Sequence, residues 1–264
     1  MELIGYIASI FIGISLGLIG GGGSILTVPV LVYLFGVSPE LSTAYSLFIV
    51  GVSALVGAVR NAMLGNVHYK TAVVFAIPSF IAVFLTRRYL MPAIPVEIVS
   101  IGGWTLTKDI AIMGFFALVM LAASISMIRG RKNSGSTDIN QVSFNVPMII
   151  LEGAVVGVLT GIVGAGGGFL IIPALVLFAK LPMKHAVGTS LLIIAAKSLF
   201  GFYGDIASGQ PIDWPFMLTI AGIAAVGIFV GVWLSTLIDG KKLKSGFGWF
   251  VLIMAIYILL KQII

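Results

Sequence analysis

Gly17-Leu18-Ile19-Gly20-Gly21-Gly22-Gly23-Ser24-Ile25-Leu26-Thr27-Val28-Pro29-Val30-Leu31 is the stretch on which the fold turns. An apolar segment runs into four consecutive glycines, then resumes as a short apolar segment with a proline in its first turns. Proline is tolerated there because the first N–H groups of a helix lack an intrahelical partner. Glycine allows the chain to break and turn where other residues would strain it. Ser24 is placed to cap the helix that follows. The reading is a broken helix: an apolar arm, a glycine elbow and a short second arm.

The elbow occurs twice. Residues 161–175 read Gly-Ile-Val-Gly-Ala-Gly-Gly-Gly-Phe-Leu-Ile-Ile-Pro-Ala-Leu. The two halves align without a gap at an offset of 144 residues. Gly13, Gly17, Gly20, Gly22 and Gly23 fall on Gly157, Gly161, Gly164, Gly166 and Gly167. Pro29 falls on Pro173, Ser46-Leu47 on Ser190-Leu191, and Leu55, Gly57 and Gly65 on Leu199, Gly201 and Gly209. Punctuating glycines and a proline in one register point to a duplication.

Composition says where such a chain lives. Of 264 residues, 59% are hydrophobic and 9% charged, against about a quarter charged in soluble domains. Mean hydropathy is +1.18. Apolar surface on that scale needs lipid to cover it. Apolar segments are expected at 3–19, 25–35, 41–59, 71–90, 109–128, 147–163, 169–179, 185–203, 214–238 and 245–263. A span needs roughly 20 residues, so 25–35 and 169–179 are too short and read as half-helices or re-entrant arms. Residues 91–108, with two prolines and two glycines, read as a long surface loop. The fold class is thus an all-α integral membrane protein, a polytopic bundle of about eight to ten helices. Its organisation is a first repeat at 1–128, a hydrophilic cytoplasmic linker at 129–146 and a second repeat at 147–264. Met-Glu-Leu-Ile lacks the basic start of a secretory signal. The absence of cysteine excludes disulfides and thiol chemistry.

Charge sets the orientation. Arg60, Lys70, Arg129, Arg131, Lys132, Lys180, Lys184, Lys241, Lys242 and Lys244 fall on one side, and Arg87, Arg88, Lys108 and Lys261 on the other. The richer side is cytoplasmic by the positive-inside rule, so both termini are expected outside, in the cell (plasma) membrane. The first repeat then enters from outside and the second from inside. Inverted repeats with broken helices are a transporter architecture, with the site near the midplane where the repeats meet.

Candidate binding residues follow from the elbows and their surroundings. Gly21, Gly22, Gly23 and Ser24, with Gly166, Gly167 and Gly168, would offer backbone N–H groups and the positive end of a helix dipole to an anion. The alternative is that these glycines only permit a sharp turn and close packing, the preferred reading for Gly13 and Gly17. Hydroxyls at matched positions, Tyr45 and Ser46 against Thr189 and Ser190, could donate to an oxyanion or bond within their own helices. Lys197 lies mid-helix in an apolar run, where an ionisable group is a functional hypothesis by default, against snorkelling to an interface. Its partner position holds Ser53, so the halves differ there. Arg60-Asn61 and Gly204-Asp205 read as helix ends or interface anchors, and the tryptophans as interface residues. No metal is expected from two histidines set near lysines, and no cofactor motif is present; neither elbow precedes the Lys-Ser or Lys-Thr of a phosphate loop.

The doubled elbow motif, with His185-Ala186-Val187-Gly188-Thr189-Ser190-Leu191, resembles the TauE/SafE sulfite exporter family over nearly the whole chain. The resemblance implies a secondary transporter, with export as the expected direction. Its cargo would be small sulfur-containing anions such as sulfite, sulfonates or thiosulfate, moved by alternating access with proton coupling. Tyr45 stands where the second half has Thr189, a departure from a symmetric site. The alternatives are a passive anion channel, a membrane-embedded enzyme or an assembly subunit. No Gly-x-Ser-x-Gly or His-Glu-x-x-His motif favours the enzyme, and anchoring alone needs no broken helices. The expected partners are a small anion and the lipid bilayer, with a homodimer left open and no nucleic acid.

Overall fold

The computed structural model describes residues 2–101, 104–129, 146–164, 167–168, 171–172, 175, 181–235 and 240–263. Helix α1 (Glu2–Ile19) leads into a 3-10 turn (Gly20–Leu26) and the short α2 (Thr27–Tyr33). Next come α3 (Pro39–Met63) and α4 (Tyr69–Ala93), the latter with a π-helical turn at Thr86–Leu90. A hairpin of β1 (Glu97–Ile101) and β2 (Trp104–Thr107) precedes α5 (Lys108–Arg129). The second half supplies α6 (Val146–Val163), α7 (Met183–Ala207), α8 (Trp214–Ser235) and α9 (Gly240–Ile263).

The chain is an all-α membrane protein. Five described helices are long and apolar enough to span a bilayer: Pro39–Met63, Tyr69–Ala93, Val146–Val163, Lys184–Ala207 and Trp214–Leu234. Their outward faces are apolar as well. Val73, Ile77, Ile81 and Leu85 recur every fourth residue on α4 and are all exposed, as are Leu3, Ile7 and Phe11 on α1. An exposed apolar stripe of this kind is stable only against lipid. Helix α2 has seven residues, a rise of about 10 Å, so it is a half-helix as expected.

Three expectations are corrected. Residues 91–108 are not one long loop: α4 continues to Ala93, and a two-stranded antiparallel hairpin follows, with Glu97 opposite Thr107 and Ser100 opposite Thr105. Ser24 does not cap α2; its hydroxyl donates to the Gly21 carbonyl at 2.7 Å, and Leu26 holds the cap position without a side-chain bond. Asp205 is not an interface anchor, being 2% exposed, and Arg87, counted among the charges of the less basic side, is buried at 1%. The linker lies largely outside the described residues, as do Ala165, Gly166 and most of 169–180.

Helices α1 and α3 of the first half match α6 and α7 of the second residue for residue. Helices α3 and α7 each have 25 residues, and their bounds differ by the same 144 residues as the sequence alignment. Left-handed glycines recur at that offset, Gly20 with Gly164 and Gly65 with Gly209. The turn before each long helix repeats too: Val37 N donates to Leu31 O at 3.1 Å, and Leu181 N to Leu175 O at 3.0 Å.

Packing is between halves rather than within them. Helix α1 lies along α8, α4 along α6, and α3 along α7. Glycines set how close they come. A methyl group on Gly13 would fall on the Ala224 carbonyl, on Gly17 on that of Ile228, on Gly227 on that of Ile10, and on Gly231 on that of Ile14. These pairs advance together, so α1 and α8 run parallel. Gly153, Gly157 and Gly161 of α6 meet Phe75, Ser79 and Thr86 of α4 in the same sense. The equivalent helices α3 and α7 instead cross antiparallel: Leu47 meets Gly201, Phe48 meets Phe202, Gly51 meets Leu199 and Gly57 meets Leu191.

Candidate functional site

Each elbow opens with a glycine in the left-handed region, Gly20 at φ 68° and Gly164 at φ 72°, where a side chain would be strained. Each then lies against the long helix of the other half. Gly20 faces Val187 and Ser190 of α7, and Gly164 faces the backbone of Thr43 of α3. Thr43 and Val187 are equivalent positions in the repeat.

The elbows touch. A Cβ added to Gly21 would overlap the Cα of Gly168, and one added to Gly168 would overlap the Cα of Gly21. Both would also meet the tip of Ile194. One face of α7, formed by Val187, Ser190, Ile194 and Lys197, therefore passes along both elbows at helical spacing. Gly167, at φ 63°, leaves room beside the hydroxyl of Thr160 and the ammonium of Lys197.

Lys197 is fully buried and donates to Thr160 Oγ1 at 2.7 Å. Among the described residues it has no carboxylate within ion-pairing distance. A buried cation is tolerated when something compensates its charge. An anion held by the elbow N–H groups would do so. The equivalent face of α3 carries Thr43, Ser46, Val50 and Ser53. The hydroxyls of Ser46 and Ser53 are buried without a hydrogen-bond partner among the described residues. Each is a donor available to an anion, and leaving one unsatisfied is costly in hydrocarbon.

The other residues expected at the site have committed hydroxyls. The Ser190 hydroxyl, close to Gly20, donates to Val187 O at 2.8 Å. Tyr45 Oη accepts the Asp213 N–H at 2.8 Å, and Thr189 Oγ1 accepts the His68 N–H at 2.9 Å. These two equivalent positions each fasten a long helix to the segment before the opposite half's next helix. The replacement of threonine by tyrosine thus preserves one structural bond by different means. Gly22 and Gly23 lie in the same 3-10 turn as Gly21, and Gly166 lies outside the described residues. Among those residues no three His, Asp or Glu side chains gather into a metal-holding group.

Sequence reading passed over two groups. Thr160, the partner of Lys197, is one threonine in an apolar helix and carries no local signal. The other is an ion pair. Arg87 Nη1 donates to Thr43 Oγ1 at 2.9 Å and to Asp205 Oδ1 at 3.4 Å. The fall of Arg87 beside Arg88, at the end of an apolar run, made it look like a loop charge.

The sequence model of a family described as sulfite exporter TauE/SafE matches residues 5–258. The chain belongs to the sulfite exporter TauE/SafE family. It is 31% identical to a probable membrane transporter protein of Xylella fastidiosa strain Temecula1, over 94% of this chain and 91% of that protein. It is 26% identical to the probable membrane transporter protein YdhB of Bacillus subtilis, over 89% and 90% of the two chains. A probable membrane transporter protein of Methanocaldococcus jannaschii, MJ0441, shares 36% identity over 42% of this chain and 44% of its own. No solved structure matches. This TauE/SafE family member is a multi-pass membrane transporter, not an enzyme.

Proposed function

We propose that the protein is a secondary transporter of small sulfur-containing anions such as sulfite, thiosulfate or short sulfonates. It works as a proton-coupled exporter by alternating access, in the cell membrane with both termini outside. The observation that carries this reading is the meeting of Gly21 and Gly168 beside the fully buried Lys197, which has no carboxylate within ion-pairing distance among the described residues. The Lys197 ammonium and the Thr160 hydroxyl beside Gly167, with the backbone N–H groups of the elbows, would form a small donor-rich centre, and the unpartnered hydroxyls of Ser46 and Ser53 on the equivalent face of α3 would add to it. An anion of a few heavy atoms suits it, since sulfite and sulfonate oxygens accept several hydrogen bonds at once. The antiparallel crossing of α3 and α7 supports an inverted arrangement of the halves, and the parallel pairs α1 with α8 and α4 with α6 agree with the charge-derived topology. Exchange of the halves' roles would open the centre to each side in turn.

The test is uptake of labelled sulfite, thiosulfate and a small sulfonate into proteoliposomes, with and without an imposed pH gradient, for wild type and Lys197→Met. Saturable, gradient-dependent uptake by wild type is expected, with the Lys197→Met variant weakened on the order of tenfold or more, as for loss of a charged hydrogen bond. No uptake of any of the three by wild type would rule out the substrate class. Unchanged kinetics in Lys197→Met would remove the lysine from the site.

A further inference from the structure

Arg87 is a guanidinium sealed inside the bundle with spare donors. It lies at the π-helical turn of α4, is 1% exposed, and spends Nη1 on both Thr43 and Asp205. Nε and Nη2 have no partner among the described residues, and neither has Asp205 Oδ2. The 3.4 Å contact is a single long bond where an arginine and a carboxylate can make two short ones. A buried pair in this state is neither fully closed nor dismissed to solvent.

Its position links it to the elbows. The backbone of Thr43, whose hydroxyl accepts from Arg87, is what Gly164 packs against, and the Arg87 stem packs on Gly204 beside Asp205. The guanidinium is therefore one threonine away from the second elbow. The repeat makes the pair stand out further. At the offset of 144 residues, Arg87 corresponds to Gly231 and Asp205 to Asn61. Asn61 is also buried, but its amide donates to Gly57 O at 2.9 Å. One end of the duplicated core thus holds an ion pair and the other a glycine and a self-satisfied amide.

We propose that Arg87 is a second anion-binding group on the transport path and that Asp205 is its displaceable counter-ion, so that each anion taken by Arg87 is accompanied by one proton taken by Asp205. With Asp205 charged, the pair is closed. When the carboxylate takes a proton from water, the guanidinium is left with a net positive charge and free donors, which an oxyanion fills. Release of the anion on the other side lets Asp205 lose its proton and the pair re-form. This rests on the reading of the protein as an anion transporter, and it gives that transporter a place where proton and anion are counted together. The other charge facing the pair is Glu40, whose Oε1 is held by Lys108 at 2.7 Å and by Gln210 at 3.0 Å, with Asp109 beside Glu40 at the start of α5. Glu40 is already matched by Lys108, which leaves Asp205 as the carboxylate bonded to Arg87.

The test is calorimetric binding of thiosulfate and a small sulfonate, whose own charge is fixed near neutral pH, to the detergent-solubilised full chain. Buffers of different ionisation enthalpy report the protons taken up per anion. Wild type is expected to take up close to one proton, with affinity falling about tenfold per pH unit rise. Asp205→Asn should bind without proton uptake and without pH dependence. That variant has a ready partner in the Gly201 carbonyl, the equivalent of the one Asn61 uses, so its folding can be checked by its melting curve. Adding Arg87→Gln should then weaken binding at least tenfold, as loss of a charged hydrogen bond does. Lys197→Met should weaken binding yet keep the proton. Proton uptake retained in Asp205→Asn, or absent in wild type that does bind, overturns the proposal while leaving anion transport standing. Wild type that binds neither anion overturns the substrate class, and this proposal with it.

Discussion

His68 caps α4 with its ring. Nδ1 accepts the Thr71 N–H at 3.3 Å and lies 2.8 Å from the Thr71 hydroxyl. A cap of this kind needs the Nδ1 lone pair, so the fold requires the unprotonated ring. Burial first, then the charge of His185, hold the His68 pKa below the ordinary histidine value, with Lys70 adding to the effect and a backbone hydrogen bond opposing it. A pKa lowered on folding contributes stability above the unfolded value and loses it as pH falls through the folded one. Melting of the solubilised protein should therefore drop between about pH 7 and pH 5 by roughly the 1 kcal/mol that a helix cap contributes. The drop should be smaller in His68→Gln. Superimposable pH profiles for the two proteins would take the cap out of the account. The same residue scale shows what the sequence could reveal. Lys197 announces itself because it is a lysine in the middle of an apolar run. Arg87 does not, because burial at a helix end depends on which partner covers it, and Asp205 lies 118 residues away. Ser53 and Thr160 are ordinary residues made distinctive only by what surrounds them.

At the scale of elements, the elbows were legible as a pattern and their contact was not. Four glycines between apolar segments imply a break in any membrane helix, and the repeat implies two of them. That Gly21 and Gly168 are the pair in contact depends on where α7 carries Ile194, a tertiary fact with no local sign. Valine at either position should force the elbows apart, at the 1–3 kcal/mol typical of overpacking. Uptake should fall on the order of 100-fold, as expected when a positioned group moves by about 1 Å. Proteoliposomes made with Gly21→Val and with Gly168→Val, matched for the amount of folded protein, would measure this; wild-type rates would remove the contact from the mechanism. The hairpin of β1 and β2 was missed because its strands are short and carry Pro and Gly neighbours that read equally well as loop. The bounds of α3 and α7 extended past the apolar core of each segment because polar first and last turns still satisfy the helix.

At the scale of the molecule, the duplication was plain in the sequence, and the charge pattern suggested its inversion. What the chain alone could not show is that α1 leans on α8 and α4 on α6, each glycine-faced helix finding its partner in the other half. Two chains cut within 130–145 should accordingly assemble when made together and be degraded when made singly. Co-purification of a tagged first half with an untagged second half would measure it, and a first half that accumulates and folds alone would contradict it.

That exchange of partners also bears on time. A ribosome adding about 5–20 residues per second makes the glycine face of α1 early, but the carbonyls of Ile228 and Ala224 that fit against it come about 200 residues later, a delay of roughly 10–40 s. Throughout that interval Gly13 and Gly17 sit in the membrane facing lipid, or facing whatever protein escorts nascent helices there, and the first half of this transporter must wait, inserted but unfinished, for its second.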